Sequence, residues 1–573
     1  MPTTLVTVSW VGVMIEPVGA QTGKEPELKI GIVQRFGSEL DDQMTIRALR
    51  GDRLTLRFKT GGKPQQITAT EIKVEVVSQP LSQPQLKERV VLSTHRSFES
   101  AEDSANQWRQ RGIETEIAQP EQWQVWADRD VYDVPLVRRL LLRNLQSKGF
   151  DTVVLDSQVQ QEVPKLAFIA NGYRYHRDQV DISSNNRRIR VLLGASQRNS
   201  KLYGGNMQLQ PNAYGTYTLV NQVPIETYLR GVVPHEIGSG APPTTAQAQA
   251  ILARTYVLRN LRRFVIDDYE LCADTQCQVY WGLGGATPEA DAAIANTRGL
   301  VLTYENELVD ALYSSTTGGI TAPFSDVWNG PNRPYLKAVV DSVQNVWNLS
   351  NQSLADEQNF RAFISQNQGF NEVGWRWFRW RTQSSLEVIT ADLKEYLQNR
   401  QHPLANFNTV QQLQVSERSA AGRVQKLSVQ TDQGELVLEK DEVIRAISAP
   451  NSLLFYIDPI YEQPQQSTPL PADASAGTPE GTENQTPTQP PQPIPRGYIF
   501  VGGGLGHGVG MSQTGAYRLG NLGWSSDRIL SFYYPGTQLQ PINDNIVFWR
   551  DPFSTSAMPE ASKAPEPVPL AQP

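Results

Sequence analysis

Glu236 stands in YLRGVVPHEIGSGAPPTTAQAQAILARTYVLRN, residues 228–260, where Val233, Pro234 and Ile237 flank a single carboxyl group just ahead of a helical pattern. Apolar neighbours disfavour the charged form of a carboxyl group, so a glutamate seated there is fit to give up a proton near neutral pH. Taken alone, the pattern describes a solvated residue at a bend better than a catalytic one, and a cationic His235 facing the carboxylate would pull its pKa down. Two other stretches carry polar chemistry. ELVDALYSSTTGGITAPFSDVWNG, residues 307–330, sets five hydroxyl side chains in a row from Tyr313 to Thr317, a concentration of donors and acceptors at one point. VGGGLGHGVGMSQTGAYRLGNLGWSSDRILSFYYPGTQL, residues 501–539, holds six glycines in the nine residues from Gly502 to Gly510, which lets backbone approach a ligand closely. No Gly-Lys-Ser/Thr follows those glycines and no GxGxxG register fits them, so a phosphate cradle is not indicated. No GxSxG elbow surrounds Ser314 or Ser315, and only folding could bring His507 to them as a base. Among neighbouring carboxylates, spacing selects neither Asp274 nor Asp326, and Glu226, which precedes the turn, reads as an orienting residue.

These stretches must be positioned by a chain of 573 residues, 39% hydrophobic, long enough for several packed domains. Its 59 acidic and 52 basic residues give a net charge of -7 without a lysine- or arginine-rich block, which disfavours a nucleic-acid partner. The first residues, 1–26, contain an apolar run ending at Gly19 and Ala20 like a secretory signal, but without a basic start and interrupted by Glu16 and Pro17; a degenerate export signal or a loose terminus is expected. No later run reaches the roughly 18 apolar residues of a membrane span. Alternating short runs predict a β-rich region over 27–85, with a boundary at the joint SQPLSQPQ, residues 78–85. Residues 86–157 read as strand, helix from Ser97, strand pair, helix closing at Gly149, strand. Strands return from Leu166. Pro242 and Pro243 then precede a Thr244/Thr245 cap and a helix with one buried face, from which Gln247 and Arg254 point away. Residues 351–405 read as a helical insertion and 406–462 as further strands, with a hairpin turn at Ala421 and Gly422. The tract 463–495, rich in Pro, Thr and Gln, reads as a flexible excursion before the segment 496–550, and 557–573 as a disordered tail. The fold class expected is α+β: a β-rich multi-segment domain with a helix following Glu236, plus a small α+β module.

Five pieces stand together in order: VPIETYLRGVVPHEI, AQAQAILARTYVL, CQVYWG, ANTRGLVLTYENELVDALYSSTTGG and GLGHGVGMSQTGAYRLGNLGWSSDRILSFYYPGT. With them the chain resembles the sporulation stage II protein D family of peptidoglycan lytic transglycosylases, which includes the amidase-enhancer proteins; the likeness covers about half of the chain, from about Asn186 to Leu539 with the insertion excluded, and implies a catalytic region over 165–350, 406–462 and 496–550. The resemblance implies that Glu236 is the catalytic acid/base. It further implies a cleft holding acetamido and hydroxyl groups with Arg254, Tyr256, Gln278, Tyr280, Ser314, Ser315, Thr316, His507, Ser512 and Gln513. The partners implied are peptidoglycan glycan strands and, through the enhancer branch, a cell-wall amidase; the place implied is extracytoplasmic. Residues 86–157 resemble the sporulation-related repeat, a module that binds glycan strands lacking stem peptides. No cofactor is expected. Cys272 and Cys277, the only cysteines, would join as a disulfide in an exported chain. A structural zinc site there is the alternative that some family members imply, but no histidine lies between His235 and His402 to help complete four ligands.

Overall fold

The computed structural model describes residues 25–39, 41–194, 199–399, 402–461 and 495–550. The expected signal before Glu25, the excursion over 463–494 and the tail 557–573 lie outside the described residues. The class is α+β with many strands.

The chain begins with strands β1 (Glu27–Phe36), β2 (Gln43–Ala48), β3 (Leu54–Thr60) and β4 (Lys63–Ala69). Alternate side chains such as Leu54, Leu56 and Phe58 are buried, as the period of two requires of a sheet with one packed face. This region does not stand apart from residues 165–350. β1 pairs antiparallel with Tyr217–Pro224, and β3 pairs with Val180–Ser184, in a seven-stranded sheet.

The joint over 78–85 is not a boundary loop. It lies inside β5, which runs unbroken from Glu71 to His95 and pairs with β8, Val154–Ala170, in one long antiparallel ribbon whose register shifts between Pro80 and Gln85. Prolines are tolerated there because a ribbon offers exposed edges that need no ladder donor, and the shift absorbs the missing N–H groups. A Pro/Gln-rich string without alternating apolar residues gives no sign of such a strand.

The small module follows the order read from sequence. After β5 come α1 (Phe98–Gln110), β6 (Thr115–Ala118), β7 (Trp123–Ala127), α2 (Pro135–Ser147) and then β8. Ser97 caps α1 by accepting the N–H of Ser100 at 3.2 Å. The module's core is not its own: Phe98, Trp108 and Trp123 pack in one cluster with Val220, Phe264, Tyr269 and Cys272.

Residues 351–405 are less purely helical than their composition suggests. Helices Glu357–Ser365 and Leu386–Gln398 flank a strand, Trp380–Ser385. That strand pairs with Gly497–Gly502, which also pairs with Phe455–Ile460, so the insertion is woven into the C-terminal segment. The hairpin at Ala421 and Gly422 forms between Val410–Arg418 and Val424–Thr431. Gly422 takes φ 87°, and a Cβ there would lie 2.9 Å from the Phe360 ring, so glycine is required on both counts.

Candidate active site

Two short helices and one long one seat Glu236. α3 (Ile225–Leu229) and α4 (Val233–Ile237) bend at Arg230–Val232, and Gly238 at φ 82° ends α4 before α5, Pro243–Arg259. The expected threonine cap is absent: no side chain caps α5, and the Thr245 hydroxyl donates to the Ala516 carbonyl at 2.9 Å. Nor has α5 a single buried face. It is buried on all sides from Ala248 to Arg259, because α3, α4, the helix Pro288–Asn296 and the C-terminal helices surround it.

The Glu236 carboxylate accepts the N–H of Val279 at 2.8 Å. Burial pushes its pKa up, against the opposing pull of that N–H, of the Tyr313 hydroxyl and of the Gln513 side chain. Gln513 also donates to the Glu236 carbonyl at 2.9 Å, fixing α4 from the other side. The result is a carboxyl group inclined to keep its proton while surrounded by donors ready for the charged form. His235 does not disturb it. Its ring stacks on Trp281 at 5.3 Å, with the Lys201 ammonium 5.0 Å from the same indole. Burial, and then Lys201, lower its pKa, so it is neutral at pH 7.

Glu236 opens into a cavity of about 710 Å³ that Tyr256, Ser314, Ser315, His507 and Gln513 also line. Folding thus brings together six residues that the sequence separates by more than 270 positions. The Ser314 hydroxyl is buried without a hydrogen-bond partner among the described residues. His507 is no serine-activating base: burial depresses its pKa to about 4, it is held by a hydrogen bond to the Tyr313 backbone, and its Nδ1 accepts the Val509 N–H at 3.0 Å. Three cavity residues that sequence reasoning passed over are Tyr313, Val279 and Trp328. Tyr313 was within reach, as the first hydroxyl of the Tyr313–Thr317 run. Nothing local marks Val279, which acts through its backbone.

The other residues assigned to the cleft do not line it. Arg254, fully buried, forms a bidentate pair with Glu226 at 2.9 and 2.8 Å and donates to the Leu300 carbonyl at 3.0 Å; it ties α5 to α3. Tyr280 is equally buried, its hydroxyl donating to Asn221 at 2.8 Å. Gln278 sits behind the cavity, where its amide donates to the Tyr313 hydroxyl at 3.3 Å. Thr316 is buried beside Leu505. Ser512 caps the helix Gln513–Asn521 and donates to Glu372. The cysteines are joined as a disulfide with Cα atoms 5.6 Å apart, so in this state neither is a thiolate free for zinc.

Glu372 gave no signal in sequence, yet it fastens both polar stretches. Fully buried, it accepts the Thr317 N–H at 2.6 Å, the Thr317 hydroxyl at 3.0 Å, the Gly319 N–H at 2.8 Å and the Ser512 hydroxyl. Beside it lies Asp341, also fully buried, whose carboxyl accepts from Asn371 at 2.8 Å and Tyr533 at 2.9 Å. Burial and then the Glu372 charge hold the Asp341 pKa well above the carboxylate range. Folded protein therefore keeps a proton that unfolded chain has released, so this group makes stability fall as pH rises from the ordinary aspartate range through the raised value. Asp341→Asn, which carries an N–H where the proton sits, is expected to flatten that fall. Thermal unfolding of both proteins from pH 5 to 9 measures it; parallel curves would contradict a protonated Asp341.

A family described as Stage II sporulation protein matches residues 213–304, and one described as a domain of unknown function matches residues 322–470. The chain is 25% identical over 448 residues to the amidase enhancer of Bacillus subtilis (strain 168), covering 71% of this chain and 56% of that protein. It is 24% identical over 345 residues to an uncharacterized protein of Brachyspira hyodysenteriae, covering 60% and 73%. With the stage II sporulation protein D of B. subtilis it shares 28% over 152 residues, 23% of this chain and 44% of the relative. The chain thus spans about half the length of the two B. subtilis relatives. The first match runs through α3, α4, α5 and the disulfide loop, and so contains Glu236 with the flanking Val233, Pro234 and Ile237: over these residues the chain is similar to the stage II sporulation protein family, and over a longer stretch to the amidase enhancer.

Proposed function

We propose that this protein is a peptidoglycan lytic transglycosylase acting outside the cytoplasm in cell-wall remodelling. The observation that carries the reading is a buried carboxyl group, its pKa raised by that burial, flanked on its own wall of the cavity by hydroxyls, an amide and an imidazole, while the cavity's other carboxylates, Glu99 and Glu121, come from residues 96–123 and Glu99 is paired with Arg263. An ordinary glycosidase sets two carboxylates across the bond. Here one suffices, because the substrate supplies the nucleophile. The Glu236 carboxyl gives its proton to the glycosidic oxygen between MurNAc C1 and GlcNAc O4, and that C1–O bond breaks. The 6-hydroxyl of the same MurNAc then bonds to C1, and its proton returns to the Glu236 carboxylate, leaving a 1,6-anhydro end and a GlcNAc 4-hydroxyl. Tyr313 and the Val279 N–H steady the carboxylate between the two transfers, and Ser314, Ser315 and Gln513 offer partners for sugar hydroxyl and acetamido groups. No cofactor takes part in this scheme.

Mass spectrometry of intact and amidase-treated sacculi after incubation with the protein tests this. Anhydro-ended products are expected; their absence from both substrates sinks the reading. Because Glu236 must be protonated and its pKa is raised, kcat/KM is expected to hold above the normal glutamate range and to fall as pH rises through the raised value. A fall already complete at the pH of an exposed glutamate would contradict the burial argument. No helix among the described residues is long and apolar enough to cross a membrane.

A second reading is favoured by the relative named amidase enhancer, matched over 71% of this chain: a glycan-binding activator of a cell-wall amidase. Stimulation of an amidase that survives Glu236→Gln, with no anhydro product from either protein, would select it.

A further inference from the structure

The cavity that holds Glu236 has a second wall, and it comes from the small module. Ser97, Phe98 and Glu99 at the start of α1, with Glu121, Gln122 and Trp123 leading into β7, face the same space. We propose that this wall is a binding subsite for the glycan chain being cut, so that the module completes the groove and does not act as a separately tethered anchor. The inference rests on the glycan reading above and extends it to residues outside the family match.

Rigidity is the first argument. Arg262 holds Glu102 by two bonds of 2.6 and 2.8 Å, and its neighbour Arg263 pairs with Glu99. Gln276, inside the disulfide loop, accepts from Gln119 at 2.5 Å and from the Trp123 indole at 3.0 Å. Phe264 lies between Trp123, at 5.0 Å, and Tyr269, at 4.7 Å. A tethered anchor would have its own core and a loose linker; this module shares its core and is joined through the β5–β8 ribbon.

Chemistry is the second. None of those docking bonds uses Glu121 or Gln122, which leaves a carboxylate and an amide facing the cavity across from Ser314, Ser315 and Gln513. A polysaccharide of hydroxyl and acetamido groups needs polar partners on both sides, and the volume suits a short run of sugars.

The test uses the full chain in the Glu236→Gln background, so that binding is read without cleavage. Peptide-free glycan strands, prepared by amidase digestion of sacculi, are titrated against that parent and against the same protein with Glu121→Ala and Gln122→Ala. Losing two neutral or charge-assisted hydrogen bonds predicts affinity lower by about tenfold, with an unchanged unfolding midpoint showing that docking is intact. Ser315→Ala serves as the comparison on the opposite wall. Equal affinity of parent and double variant, while Ser315→Ala weakens binding, overturns the second wall and leaves the proposed function standing. Absence of anhydro products from active protein, while the double variant still binds tenfold more weakly, does the reverse. A parent that binds no glycan at all overturns both.

Discussion

Glu236→Gln is expected to release anhydro-ended products from peptide-free glycan about 10³-fold more slowly than the parent, within the range that positioned proton transfer supplies. The substitution is nearly isosteric. Its carbonyl oxygen can still accept the Val279 N–H that the carboxylate accepts at 2.8 Å, so α4 and the cavity keep their shape. What disappears is the transferable proton, and with it both halves of the cycle, protonation of the leaving oxygen and recovery of the proton from the 6-hydroxyl. Glycan binding by pelleting should change less than threefold, because the contacts assigned to sugar hydroxyls are untouched. A variant that keeps more than a tenth of parental release would move the acid elsewhere in the cavity, where Glu99 and Glu121 are the other carboxylates. Glu99 is already paired with Arg263, and Glu121 is exposed, so neither shares the seat of Glu236 among Val233, Pro234 and Ile237.

How far the sequence reveals this site depends on what sort of signal each residue leaves. Strand alternation in 27–85, the Ser97 cap and the glycine turn at Gly422 are local, and the structure has them where local rules put them. The apolar flank of Glu236 was legible too, but the state of His235 was not, since it depends on Trp281 and Lys201, both distant in sequence. α5 misled the reading for a physical reason: periodicity identifies a buried face only where another face is wet, and α5 has almost none. Arg254 looked like a cleft residue because a buried arginine and a ligand-binding one have the same identity in a string of letters. Glu372 could not be found at all, because its four donors come from two loops about 55 and 140 positions away. The module's place on the cavity wall is hidden likewise, since residues 78–85, which lie within the ribbon that carries it there, read in sequence as a boundary.

Arg254 provides the sharpest separation of a structural role from a binding one. Arg254→Ala is expected to destabilise the protein by about 3–5 kcal/mol, the cost of leaving a buried charge without its partner. The stranded charge would be Glu226, which is 8% exposed while Arg254 is 0% exposed. Among the described residues, only the Gly299 N–H, at 3.3 Å, and the bonds of Arg254 satisfy its carboxylate. Removing both charges together, as Arg254→Met with Glu226→Leu, should recover most of that loss, because apolar groups of similar volume carry no desolvation penalty. Urea unfolding of the two single variants and the double variant measures the coupling directly. Glycan affinity of the folded fraction should stay at the parental value throughout, since neither residue reaches the cavity. If Arg254→Ala instead unfolds within 1 kcal/mol of the parent, the small range of ordinary surface changes, and loses glycan binding, the arginine belongs to the cleft. The pairing of α5 with α3 would then be a consequence of the site and not its support.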